Sequence, residues 1–233
     1  MRMQHRNSRN RVRNARLRLE ALEAREVPAL IGGLDPSFSP NAPAGVTDGI
    51  ANHKFNDVAF QSDGKIIAVG SNFAGDNFIA YRFNVDGSPD ISFGTNGSMS
   101  VDVGGRNLRD GVSAVAVDSQ DRIVMVGTTG FPIKTDFGVV RLSSNGQTVD
   151  VNRNFHVGNA SDNSFATDVA FQTDGTIVVV GNAMVGSDRD MVLVRLQPDN
   201  GATIGSPLTI DFPVAGDNDR ALGVAVYQSG PNP

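Results

Sequence analysis

A fourteen-residue pattern returns along this chain at nearly constant spacing, which constrains the fold more than any other feature. Asp57-Val-Ala-Phe-Gln-Ser-Asp-Gly-Lys-Ile-Ile-Ala-Val-Gly70 comes back from Ala114 to Gly127 and again from Asp168 to Gly181, at intervals of 57 and 54 residues. A fourth start, Gly223-Val-Ala-Val-Tyr-Gln228, follows 55 residues later. Such a period marks repeated supersecondary units, each burying a face against the next.

Each unit reads as short β-strands. Val58 to Gln61 is a β-prone run, Ser62-Asp63-Gly64 is a tight-turn signal, and Lys65 to Val69 is a second run closed by Gly70. A third run spans Phe78 to Phe83, matched by Phe137 to Leu142 and Met191 to Leu196, with turns at Asp86-Gly87, Asn145-Gly146 and Asn200-Gly201. Weaker fourth runs follow at Ser98 to Val103 and Leu208 to Phe212. The second run is almost wholly apolar, so both its faces must be covered, as in stacked sheets. The expected fold class is all-β: four-stranded antiparallel units of about 55 residues forming a β-propeller or partial propeller. Whole units are expected over 50–103, 104–157 and 158–212, with partial ones at 34–49 and 213–230.

Composition agrees with many turns and few helices. Of 20 cationic and 25 anionic residues, eight and three lie before Leu34, leaving a body with 22 aspartates, no glutamate and 12 Lys and Arg. Aspartate favours turns and disfavours helix interiors. The chain has no cysteine, which excludes disulfides and thiol chemistry. No apolar run reaches the ~18 residues of a membrane-spanning helix.

The segment from Asp63-Gly64-Lys65-Ile66 through Phe78-Ile79-Ala80-Tyr81-Arg82 to Asp86-Gly87-Ser88-Pro89-Asp90-Ile91-Ser92-Phe93-Gly94 resembles the bacterial delta-60 repeat. The likeness spans residues 34–230, since Leu34-Asp35-Pro36-Ser37-Phe38 looks like the tail of a preceding unit. It implies a propeller-like, largely secreted protein with no shared activity. The second unit departs from the pattern, carrying Asp121-Arg122 in place of Asp-Gly, and units two and three lack the Ser-Phe-Gly turn.

Residues 1–30 form a basic leader, with seven arginines and no acid in the first 18 positions and a short helix-compatible stretch ending at Val27-Pro28. Leu19-Glu20-Ala21-Leu22-Glu23-Ala24-Arg25-Glu26-Val27-Pro28 resembles the N-terminal motif of planctomycete extracellular proteins, which implies export to the cell surface or beyond. An arginine-rich arm also suits nucleic acid, but the body is acidic and the arm has no aromatic residue, so no nucleic-acid partner is expected.

Candidate chemistry is sparse. Arg82, Arg141 and Arg195 recur in the third run and are read as satisfying nearby carboxylates or strand-end carbonyls in the same way in every unit. Asp63, Asp121 and Asp174, with Gly64 and Gly175, recur at the first hairpin turn, where an aspartate bonds its own backbone and glycine accepts positive φ. Asp162, Asp217 and Asp219 are the candidates for calcium, although no loop fits a known calcium motif. The three histidines are scattered, and no nucleophile elbow, phosphate loop or dinucleotide fingerprint is present, so no catalytic residue is assigned.

The expected function is a non-catalytic, secreted or cell-surface module contacting protein or glycan, without a required cofactor. The alternative is an extracellular propeller hydrolase or lyase using aspartates and calcium. Because the fourth unit stops early, the chain reads as truncated or running into a linker, with open blade edges expected to drive self-association.

Overall fold

A computed structural model of the chain describes Phe38 and residues 53–72, 77–103, 109–131, 134–159, 162–211 and 218–227. The chain divides into two units, residues 1–34 and 35–233, and the basic leader expected over residues 1–30 lies outside the described residues. Among the described residues the body has twelve strands in chain order: β1 (His53–Phe60), β2 (Ile66–Asn72), β3 (Phe78–Phe83), β4 (Ser98–Val101), β5 (Arg109–Val117), β6 (Ile123–Phe131), β7 (Asp136–Leu142), β8 (Val149–Phe155), β9 (Ser164–Phe171), β10 (Ile177–Val185), β11 (Asp188–Leu196) and β12 (Leu208–Ile210). They form three antiparallel sheets, each a four-stranded meander, ordered β1-β2-β3-β4, β5-β6-β7-β8 and β12-β11-β10-β9. These are three successive propeller-like blades.

The first hairpins form for the reason their sequences suggest. Gly64 takes φ +82°, and its amide donates to the Gln61 carbonyl at 2.9 Å. In the second blade Asp121 holds the same place at φ +59°, and its amide donates to the Asp118 carbonyl at 2.9 Å. Aspartate tolerates this left-handed region better than most residues, so the turn survives the loss of glycine.

Second strands run past their glycine instead of stopping there. A Cβ on Gly70, Gly127 or Gly181 would overlap a carbonyl oxygen of the neighbouring first strand, that of Lys54, Gly111 or Phe165. Pairing shifts register beside each of these glycines. Glycine therefore marks a bulge where two strands approach too closely for a side chain. Strand β8, which the apolar pattern does not announce, is polar apart from Val149, Val151 and Phe155, and is recruited by pairing with β7.

Stacking accounts for the apolar second strands. Ile123, Val124, Met125 and Val126 are all fully buried. Ile123 and Met125 join a core with Ile67, Val69, Phe78 and Phe93 of the first blade, while Val124 and Val126 join a core with Ile177, Val179 and Val194 of the third. Each such side chain contributes roughly 1.5 to 3 kcal/mol on burial. On the first blade Val58 and Phe60 are 55 % and 66 % exposed, whereas Val115 and Val169, the counterparts of Val58, are buried.

The partial units take up repeat positions as far as they are described. The Phe38 ring lies over Gly87 as the Phe93 ring lies over Gly146, one blade on. Residues 221–224 meet the third blade as 112–115 meet the first. Asn56 Nδ2 donates to the Val112 carbonyl at 2.7 Å and Asp57 Oδ2 accepts the Val115 amide at 2.9 Å; Thr167 Oγ1 donates to the Ala221 carbonyl at 2.7 Å and Asp168 Oδ2 accepts the Val224 amide at 2.7 Å.

Candidate functional site

The recurrent arginines are staples between blades. Arg82 donates from Nε to Asp90 Oδ2 at 2.9 Å and from Nη1 to the Ser144 carbonyl of the second blade at 2.8 Å, with its guanidinium 4.9 Å from the centre of the Phe93 ring. Arg141 reaches the carbonyls of Pro198 and Asp199 in the third blade. Ser144 and Pro198 each stand three residues beyond the arginine of their own blade, so the contact is repeat-equivalent. Arg195 does not repeat it: its side chain is exposed. The reading that all three arginines act alike therefore needs correction at the third.

Asp90 completes the Arg82 staple. Its burial alone would raise the carboxyl pKa, but hydrogen bonds from Ser92 and Lys65 and the Arg82 charge hold it far below the usual carboxylate range. Lys65 Nζ lies 3.0 Å from Asp90 Oδ2. This is a satisfied buried ion pair, built to hold rather than to react.

The turn aspartates divide into two kinds. Asp63 Oδ1 accepts the Lys65 amide at 3.0 Å and Asp174 Oδ1 the Thr176 amide at 2.9 Å, so both close their own turns. Asp121 differs from the sequence reading, because its side chain leaves its own turn and binds the preceding blade, accepting the Ser62 amide at 2.7 Å and hydroxyl at 2.5 Å. Turn closure in the second blade falls instead to Asp118, whose Oδ1 accepts the Gln120 and Arg122 amides at 2.9 Å and whose Oδ2 accepts Arg122 Nε at 2.7 Å. Gly175 takes φ +82° at the third turn, as Gly64 does at the first.

One change of residue type opens a cleft. Between blades one and two, Gln61 Nε2 donates to the carbonyls of Asp121 and Ser144 at 2.9 and 2.8 Å and closes the gap between turns. The equivalent residue in the second blade is Asp118, an acceptor already spent on its own turn. Where the next bridge would run, a cavity of about 630 Å³ opens between blades two and three. Its lining includes Asp118, Gln120, Arg122 and Asp174 together with Phe171 and Pro198.

Two of the three calcium candidates lie among the described residues. Asp162 lies beside Asn159, whose Nδ2 it accepts at 3.0 Å, in the connection before β9. Asp219 donates its amide to the Arg189 carbonyl at 2.7 Å, and Asp217 lies outside the described residues. Among the described residues no group of three or more acidic or histidine side chains is placed to hold a metal ion. Asp190 is the more unusual carboxylate. It is 6 % exposed, and its pKa is raised by burial and then by the charges of Asp211, Asp219 and Asp188. Asp110, also buried and raised chiefly by burial, accepts the Thr129 hydroxyl and the Val103 amide and so serves packing.

Residues 61–93 and 172–202 match the family model described as "Domain of unknown function (DUF5122) beta-propeller". Both matches run from the first hairpin turn through the third strand into the turn beyond it. The chain is a β-propeller-like repeat protein. No curated protein matches this propeller-like chain. Among solved structures it is similar to a catalytically inactive virginiamycin B lyase from Staphylococcus aureus with quinupristin, at 10 % identity and a TM-score of 0.40, over 73 % of this chain. The chain spans 45 % of that lyase chain.

Proposed function

We propose that this propeller-like chain, of the delta-60 kind, is a non-catalytic binding module that works at the cell surface or beyond and takes protein or glycan in the gaps and turns between blades. One observation carries the reading: the repeated charged residues that chemistry would need are occupied in turns and staples, as Asp63, Asp90, Asp118, Asp121, Arg82 and Arg141 illustrate. The leader resemblance supports export. No nucleic acid or bound cofactor is part of the proposal, and the exposed Val58 and Phe60 side chains support self-association. The test is a pull-down of the purified chain with isolated envelope material and its extracted polysaccharides. Saturable retention is expected, and a folded chain that retains on neither would overturn the reading.

A second reading, an aspartate and calcium enzyme, is favoured by Asp190 alone. Its raised pKa means that ionisation costs stability: the contribution is full below the ordinary value of 3.8 and lost as pH rises through the folded value. A bound cation would relieve the charge repulsion that Asp211, Asp219 and Asp188 exert on Asp190, although these side chains are not placed as a ready-made cage. On this reading millimolar Ca²⁺ raises the melting temperature of the wild type but not of Asp190→Asn. A calcium-blind wild type removes it.

A further inference from the structure

We infer that the cleft between the second and third blades is a binding site for a neutral carbohydrate chain, created where Asp118 replaces the bridging glutamine of the first blade. The inference rests on the binding-module reading and names its ligand and its place.

Blades one and two show what the repeat does when the joint is closed. Gln61 spans from its turn to two carbonyls of the next blade, and Ser62 adds two bonds to Asp121. At the joint of blades two and three both devices are lost. Asp118 has no N–H to give to a carbonyl, and the position of Asp121 is taken by Gly175, which offers Ser119 no side chain. Gly175 and Pro198, which stand where Asp121 and Ser144 take the glutamine's bonds in the closed joint, line the gap, and Arg141 holds the Pro198 carbonyl.

The gap has the volume and chemistry of a small-ligand site. At about 630 Å³ it lies within the range of roughly 300 to 1,000 Å³ typical of such pockets. The lining mixes polar side chains (Asp174, Ser119, Gln120, Thr173 and the Asp118–Arg122 pair) with the apolar Phe171 and Pro198. A pyranose matches this mixture, because its hydroxyls both donate and accept around the ring edge and its C–H face packs on an apolar floor. Formal charge favours a neutral sugar: the one cation among the lining residues, Arg122, is paired with Asp118 at 2.7 Å, and Asp174 adds a negative charge that feels Arg195. Hydrogen bonds from Thr176 hold the Asp174 carboxyl below its ordinary pKa, so it stays anionic. An anionic polymer would meet like charge there.

The test transplants the closed joint. Asp118→Gln with Gln120→Asp copies the Gln61 and Asp63 pair onto the second blade: the new glutamine can reach Gly175 and Pro198, and the new aspartate takes over turn closure. Thr173→Trp, at an exposed position across the cleft, fills the gap without touching the turn. Affinities for neutral β-linked gluco-, xylo- and chito-pentaoses are measured by titration calorimetry for the full chain and both variants, beside their melting temperatures. Binding by the wild type that weakens at least tenfold in both variants, with melting preserved, is the expected result. Equal binding by all three overturns the cleft while leaving the binding module intact. Wild type that binds none of these sugars, yet is retained by envelope material, overturns the carbohydrate assignment; retention by neither overturns the binding module itself.

Discussion

Replacing each repeated arginine by methionine keeps most of the stem and removes the fork, so the series Arg82→Met, Arg141→Met and Arg195→Met asks whether the staples carry stability. Arg82 is 7 % exposed and shares its bonds with a 7 % exposed Asp90, so its removal leaves a buried carboxylate with Ser92 and Lys65 but without the guanidinium, and the Ser144 carbonyl short of one donor. Breaking a buried pair from one side costs about 3 to 5 kcal/mol. For a domain of this size each kcal/mol moves the midpoint by roughly 2 to 4 °C, so Arg82→Met should melt on the order of 6 to 20 °C below wild type. Arg141→Met removes donors from the Pro198 and Asp199 carbonyls and should fall between the extremes. Arg195 is exposed, and its substitution should stay within about 0.5 kcal/mol of wild type. Differential scanning calorimetry of the three variants at pH 7 is the assay. Equal shifts across the series, or an Arg82 variant that melts with wild type, would refute the staple argument.

Other outcomes follow from the same contacts. Because the Asp90 pKa is lowered, its stabilisation is present above the ordinary value of 3.8 and lost as pH falls through the folded value, so wild type should lose stability on acidification more steeply than Asp90→Asn in a melting series from pH 6 to 2. Gly127→Ala drives a Cβ into the Gly111 carbonyl and should cost several times the ~1 kcal/mol of an ordinary substitution, read as a lower midpoint, whereas Gly111→Ala, with open space around it, should not. Phe60→Ser should reduce association in sedimentation velocity without lowering the melting temperature, since that ring is 66 % exposed; unchanged association removes the first-blade face from the interface.

The sequence discloses those parts of the fold that depend on local pattern. Turn residues and apolar runs repeat, so the hairpins of Gly64 and Gly175, the three blades and their face-to-face stacking can be read before any coordinates. Strand β8 is harder, because in Val-Asp-Val-Asn-Arg-Asn-Phe only Val151 is fully buried and the strand owes its existence to its partner β7. The extension of β2, β6 and β10 past glycine is equally non-local, since glycine reads as a stop until the opposing carbonyl is seen. At the site, residue type misleads where the partner lies in another blade. Asp121 looks like a turn former but binds Ser62, and Arg195 copies Arg82 in sequence without its contacts. The cleft had a legible signal, glutamine at positions 61 and 172 against aspartate at 118, but its meaning required knowing that Gln61 reaches across a joint. The gathering of Asp190 with Asp211 and Asp219 depends on β11 pairing with β12 and on the chain returning past Arg189.

The most direct test of the stacked-blade account is hydrogen exchange followed strand by strand. The second strand of the middle blade has a sheet neighbour on either edge and a blade on either face, and Ile123 to Val126 are fully buried. The account expects the amides of β6 to exchange slowest of all, with β12, exposed along its length at Leu208–Ile210, among the fastest of the strands. Exchange in β6 as rapid as in β12 would contradict it, because a middle strand open to water cannot lie between stacked blades.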